Sequence, residues 1–103
     1  MSERPIAHLE EIPEGEAHPV KVGGREIVLC RVDGEVCALS GICTHEDRPL
    51  AGGEVEDGVL TCPWHGARFD TRSGRVLALP ALRALETFAV RVDQDGQVYL
   101  ELP

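Results

Sequence analysis

A cysteine and a histidine stand together twice in this chain, as Cys43-Thr44-His45 and as Cys62-Pro63-Trp64-His65, with sixteen residues between the two groups. Thiolate and neutral imidazole are donors for soft and borderline metals, and two of each at such spacing form a metal-site pattern. A centre that draws on both groups needs two loops packed face to face, which restricts the fold strongly. The donor types alone leave open a structural zinc site, closed and tetrahedral, which takes the same Cys2His2 set. A zinc ribbon, however, offers two Cys-x-x-Cys knuckles, and a zinc finger carries its histidines on a helix. Here each loop mixes one Cys with one His, and no helix signal surrounds either.

The rest of the chain reads as short strands punctuated by Gly, Pro and Asp-Gly. Val20 to Val22 leads through Gly23-Gly24 into Glu26 to Val32, then through Asp33-Gly34 into Glu35 to Leu39. Asp-Gly between two apolar runs is a two-residue hairpin signal, because both turn residues take φ > 0. Asp57-Gly58 repeats it between Gly53 to Glu56 and Val59 to Thr61. Strands follow at Ala67 to Asp70, Val76 to Leu79, Glu86 to Val92 and Gln97 to Leu102. Turn signals at this density predict an all-β fold. Ala81 to Leu85 carries a weak helix signal, and Glu10 to Gly15 reads as a loop or a single turn. No internal repeat, low-complexity segment or linker interrupts the sequence, which predicts one domain over 1–103.

The 103 residues are 43% hydrophobic and 27% charged, as in a globular protein with one modest core. The formal net charge of −8 disfavours a nucleic-acid partner, which needs a basic face. The polar start and the lack of an apolar run of ~20 residues predict a cytoplasmic chain with no signal peptide and no membrane span. His8 and His18 have no Cys neighbours and read as surface residues. If the Asp33-Gly34 turn has two residues, Cys30 lies opposite Cys37; a reducing compartment favours two small apolar thiols there over a disulfide.

The Cys-x-His and Cys-x-x-His groups, with Arg48-Pro49-Leu50 after the first and Gly66-Ala67-Arg68-Phe69-Asp70 after the second, resemble the Rieske motif. They are similar to those of the Rieske-type ferredoxins that serve bacterial ring-hydroxylating oxygenases. The resemblance implies one 2Fe–2S cluster per chain, in which two His replace two Cys on one iron. By the same resemblance Cys43 and Cys62 hold one iron and His45 and His65 the other, near-surface one. It implies an antiparallel β-sandwich with a smaller cluster-binding β-subdomain, about residues 40–78, at one tip. Leu79-Pro80-Ala81 matches a proline-containing loop over the cluster. Gly66 is a position for close approach or φ > 0.

Two departures from relatives matter. Respiratory Rieske proteins brace the loops with a disulfide, and Arg48 and Trp64 stand at its positions. High-potential members carry Ser and Tyr where this chain has Ala67 and Phe69, which places its potential near the low end of the range. Trp64 reads as a residue that shields and packs its loop, Glu46 and Asp47 as part of a docking patch or a solvated loop. The implied function is a one-electron carrier, not an enzyme. It is a monomer that takes electrons from a flavoprotein reductase and passes them to a terminal oxygenase. The alternatives are a small Rieske-like subunit of an assimilatory nitrite reductase and, third, a structural zinc-binding module.

Overall fold

The computed structural model describes residues 5–43, 49–64, 66–78 and 83–101. Two Asp-Gly pairs set its hairpins. Asp33 and Asp57 have φ of 50° and 53°, and Gly34 and Gly58 follow at 79° and 76°. Two successive left-handed residues make the turn whose twist matches the strands beside it. Val32 therefore faces Glu35 and Glu56 faces Val59.

The described residues form ten strands: β1 (Ala7–His8), β2 (His18–Val22), β3 (Arg25–Val32), β4 (Glu35–Ser40), β5 (Glu54–Glu56), β6 (Val59–Thr61), β7 (Arg68–Asp70), β8 (Val76–Ala78), β9 (Thr87–Val92) and β10 (Gln97–Glu101). They form a six-stranded sheet, order β1-β10-β9-β4-β3-β2, and a four-stranded sheet, order β5-β6-β7-β8. Every strand pairing is antiparallel. The larger sheet is two three-stranded halves joined where β4 meets β9 through Ala38–Phe88 and Leu39–Thr87. Inward side chains of both halves, among them Ile27, Leu29, Ala38, Phe88 and Val98, share one buried cluster. This is the sandwich core.

A second cluster lies on the other face of β3 and β4. Val28, Cys30, Val32 and Leu39 meet Val55, Leu60 and Phe69 of the smaller sheet. Ile27 to Cys30 are consequently all buried, because β3 is covered on both faces. A strand buried on both faces reads as a continuous apolar run instead of an alternating one. Phe69 is wholly buried, which contributes about 1.5–3 kcal/mol relative to an exposed ring.

Strand β2 ends the larger sheet. With Val22 and Arg25 closing its hairpin, Lys21 and Pro19 turn their backbone groups outward. Pro has no N–H to offer, and Lys adds charge, so this edge is a poor template for a further strand.

The only helical element among the described residues is a 3-10 turn, Leu9–Glu11. His8 caps it: Nδ1 accepts from the Glu10 N–H at 3.0 Å, and Nε2 pairs with the Asp95 carbonyl oxygen at 2.8 Å. The helix signal at Ala81 to Leu85 is not realised in its described part. Arg83 to Leu85 runs as irregular chain, and Leu85 is buried with its N–H donated to the Gly74 carbonyl at 2.8 Å. A long-range bond and burial outweigh a weak local preference there.

Candidate metal centre

The first loop leaves β4 at Gly41, whose N–H donates to the Glu26 carbonyl at 2.8 Å. Its base is closed by an antiparallel bridge between Ile42 and Pro49 and by Leu50 N–H to Gly41 O at 2.7 Å. Cys43 follows directly on that bridge and is 1% exposed. The second loop is the tip of the β6–β7 hairpin. Cys62 donates its N–H to the Ala67 carbonyl at 2.7 Å and accepts from Gly66 N–H at 3.2 Å. Gly66 has φ of 78°, the left-handed conformation expected of it. A Cβ there would meet no described atom within 4 Å, so its freedom, not close packing, is what the turn uses. Cys62 is 3% exposed.

The two loops meet. Gly53, just beyond the first loop, packs so closely on β6 that a Cβ would fall 2.6 Å from the Thr61 carbonyl oxygen and 3.0 Å from that of Leu50. Thr61 immediately precedes Cys62. Trp64 Nε1–H donates to the Pro49 carbonyl at 3.0 Å, from the tip of the second loop to the exit of the first. Cys43, Cys62, Leu50, Leu60, Ala67, Phe69 and Leu85 all belong to one buried cluster. The fold therefore brings the two sequence-predicted cysteines into one apolar neighbourhood. His45 and His65 lie outside the described residues, as do Thr44, Glu46, Asp47 and Arg48 of the first loop and Leu79-Pro80-Ala81. Among the described residues no group of three or more His, Cys, Asp or Glu side chains is arranged to hold a metal ion.

The turn after β7 is tied by Asp70. Its Oδ1 accepts from the N–H groups of Arg72 at 2.8 Å and Ser73 at 3.0 Å. The Ser73 bond first, then those of Arg72 and the nearby guanidinium, hold the Asp70 carboxyl below the usual carboxylate range. Thr71 is 1% exposed and gives both its N–H and its hydroxyl to the Gly58 carbonyl, each at 2.9 Å. Nothing in its sequence context marked it as buried.

Cys30 and Cys37 are directly paired across the β3–β4 hairpin, as the two-residue turn requires, and both are free thiols. Burial, and then the neighbouring Cys37, push the Cys30 thiol up to about 12. Burial also raises Cys37, which lines a cleft of about 380 Å³ with Thr71 and Arg72. Thiols so shifted are neutral at pH 7 and poor ligands or nucleophiles.

A family model described as Rieske [2Fe-2S] domain matches residues 2–89. The ferredoxin component of the naphthalene 1,2-dioxygenase/salicylate 5-hydroxylase systems of Ralstonia sp is 38% identical over 87 residues, 84% of each chain. Among solved structures, a ferredoxin of Sphingomonas yanoikuyae B1 superposes with a TM-score of 0.90 at 27% identity, over 99% of this chain and 100% of that one. The complex of reduced oxygenase and oxidized ferredoxin in carbazole 1,9a-dioxygenase contains a chain that matches with a TM-score of 0.86 at 27% identity, over 95% of this chain and 100% of that one.

Proposed function

Because the chain belongs to the Rieske [2Fe-2S] domain family, with one 2Fe–2S cluster, we propose that it carries single electrons from a flavoprotein reductase to a terminal oxygenase. The observation that carries this reading is the meeting of the Cys43 and Cys62 loops over one buried cluster of side chains. Two buried thiols on facing loops fit the sulfur half of such a donor set, since thiolate is the soft anionic donor iron takes. Cys43 and Cys62 would hold one iron, and His45 and His65 the other. The residues about 40–78 would form the cluster-binding part of a single domain, and the chain would be a cytoplasmic monomer.

When bound, the cluster supplies a one-electron couple whose potential His ligation raises above that of all-Cys clusters. The chain's own residues do the rest. The Ile42–Pro49 bridge and the Cys62–Ala67 bond fix where each loop starts and ends. Leu50, Leu60, Phe69 and Leu85 keep water from the thiols. Ala67 and Phe69 carry no hydroxyl, so neither side chain donates a hydrogen bond there.

No described helix is long and apolar enough to cross a membrane. The naphthalene dioxygenase ferredoxin component of Ralstonia sp shares 38% of its residues with this chain over 84% of each, which favours a free-standing carrier over a reductase subunit. A formal charge of −8 steers the chain toward basic faces of its partners, an attraction screened beyond ~10 Å at 0.1 M salt. The test is reconstitution with a flavoprotein reductase and a terminal oxygenase. The chain should be reduced by the first and reoxidised by the second, with rates that fall as salt is added. A chain isolated only in tight complex with a larger reductase subunit would overturn the reading.

A further inference from the structure

The hydrogen bond between Trp64 and Pro49 is a side-chain contact that ties one ligand loop to the other. Its acceptor is set by the sheet-like pairing at the base of the first loop. Leu50 N–H donates to Gly41 O, so Ile42 and Pro49, one step inside, form a non-hydrogen-bonded pair. In such a pair the backbone groups point away from the opposite strand. The Pro49 carbonyl is thereby turned out of the first loop, and Trp64 Nε1–H meets it at 3.0 Å.

The donor is equally telling. Trp64 is 47% exposed, so its ring is not buried for its own sake. An indole at such a surface can give its N–H to water at no cost, yet here it is spent on the neighbouring loop. Trp64 also stands two residues after Cys62 and one before His65. A constraint on Trp64 is a constraint on the backbone that carries both.

We propose that Trp64 is a positioning residue: its indole N–H latches the second ligand loop to the exit of the first and holds the two loops in one register around the metal centre. This rests on the cluster-binding reading above. The physical need is clear for an electron carrier. Reduction adds a negative charge to the centre, and loops that are free to slide would answer it by moving. Residues outside the ligand set that orient the ligands narrow that response. The latch does what a covalent brace would do, with one donor and one carbonyl.

Two variants separate the N–H from the ring. Trp64→Phe removes the donor and part of the ring. Replacement of Trp64 by benzothienylalanine keeps a bicyclic ring of nearly the same shape and removes only the donor. In both, loss of the cluster to a chelator should be about two- to tenfold faster, the range that one net hydrogen bond supports. The electron paramagnetic resonance lines of the reduced form should broaden, since a spread of loop positions gives a spread of g-values. The chain has one tryptophan, so ultraviolet resonance Raman reads this indole alone. Its N–H marker band should be that of a hydrogen-bonded indole in both redox states. Native loss rate and line width in the benzothienylalanine protein would overturn the latch, as would an unbonded marker band. Absence of iron and sulfide from the unaltered chain would instead overturn the cluster reading, and the Raman band would still decide whether the latch exists.

Discussion

Replacing Gly74 by Ala should loosen the cover of the metal centre without touching a ligand. Gly74 has φ of 75°, and a Cβ there would overlap the Leu85 carbonyl oxygen while standing 3.0 Å from its carbon and 3.1 Å from Thr87 Cγ2. A left-handed conformation costs an L-residue roughly 1–2 kcal/mol. Relief of the overlap must move Leu85, whose N–H bond to Gly74 at 2.8 Å is worth about 0.5–1.5 kcal/mol net. The two together predict a loss of about 1.5–3.5 kcal/mol, before any cost of shifting the buried Leu85 side chain. The matched control is Gly24→Ala. Gly24 has φ of 81° with nothing within 4 Å of a Cβ, so only the conformational cost of roughly 1–2 kcal/mol applies. Urea unfolding followed by circular dichroism gives both numbers, with a Gly74→Ala midpoint lower by about 1 M for a typical slope. Leu85 shares a cluster with Cys43 and Cys62, so chelator-driven cluster loss should quicken in Gly74→Ala and not in Gly24→Ala. Equal losses of stability in the two variants, within about 0.5 kcal/mol, would refute the close-contact argument.

The native potential should lie near the low end of the Rieske range, roughly −150 mV, because the side chains of Ala67 and Phe69 offer no donor. Ala67→Ser and Phe69→Tyr should each raise it by about 40–90 mV in voltammetry, from ~1–2 kcal/mol per charge-assisted bond at about 59 mV per 1.4 kcal/mol; a native value well above zero would contradict this. Cys30 ionises near 9.0 when unfolded and at about 12 when folded. Its raised pKa favours the fold below pH 9, and that advantage is lost as pH rises through the interval, so Cys30→Ala should flatten the alkaline loss of stability seen in unfolding midpoints. Asp70 is shifted the other way. Its contribution is present above the ordinary value of 3.8 and is lost as pH falls through the lower folded value. Asp70→Asn should therefore lower the urea midpoint at pH 7 and leave it little changed at the acid extreme.

Local chemistry made much of this fold legible. Asp33-Gly34 and Asp57-Gly58 specify their turns by backbone conformation alone, and once the first is fixed Cys30 must face Cys37. Most of the expected strands fall within a residue of their bounds for the same reason, while β2 starts two residues earlier than expected, at His18. What escaped depends on contacts between distant segments. Strand β1 is two residues paired to β10, and His8 reaches the Asp95 carbonyl 87 positions away. The burial of Thr71 follows from its bonds to Gly58, and the Gly74 contact from the return of the chain at Leu85. Trp64 was legible as a loop-packing residue, but its acceptor, Pro49, became visible only when the two loops were placed together. Of the four expected ligands, the sequence and the structure jointly locate Cys43 and Cys62 in one apolar cluster. His45 and His65 rest on the sequence pattern and on the proposal above.

The central claim is a cluster of two unlike irons, one held by cysteines and one by histidines. Mössbauer spectroscopy of 57Fe-enriched protein, matured with an intact cluster-assembly system, tests it most directly. The account predicts two iron sites in equal amounts with distinct isomer shifts, and on reduction a single site that takes up the electron. Two equivalent all-sulfur irons, or a chain that carries stoichiometric zinc and no iron, would contradict it.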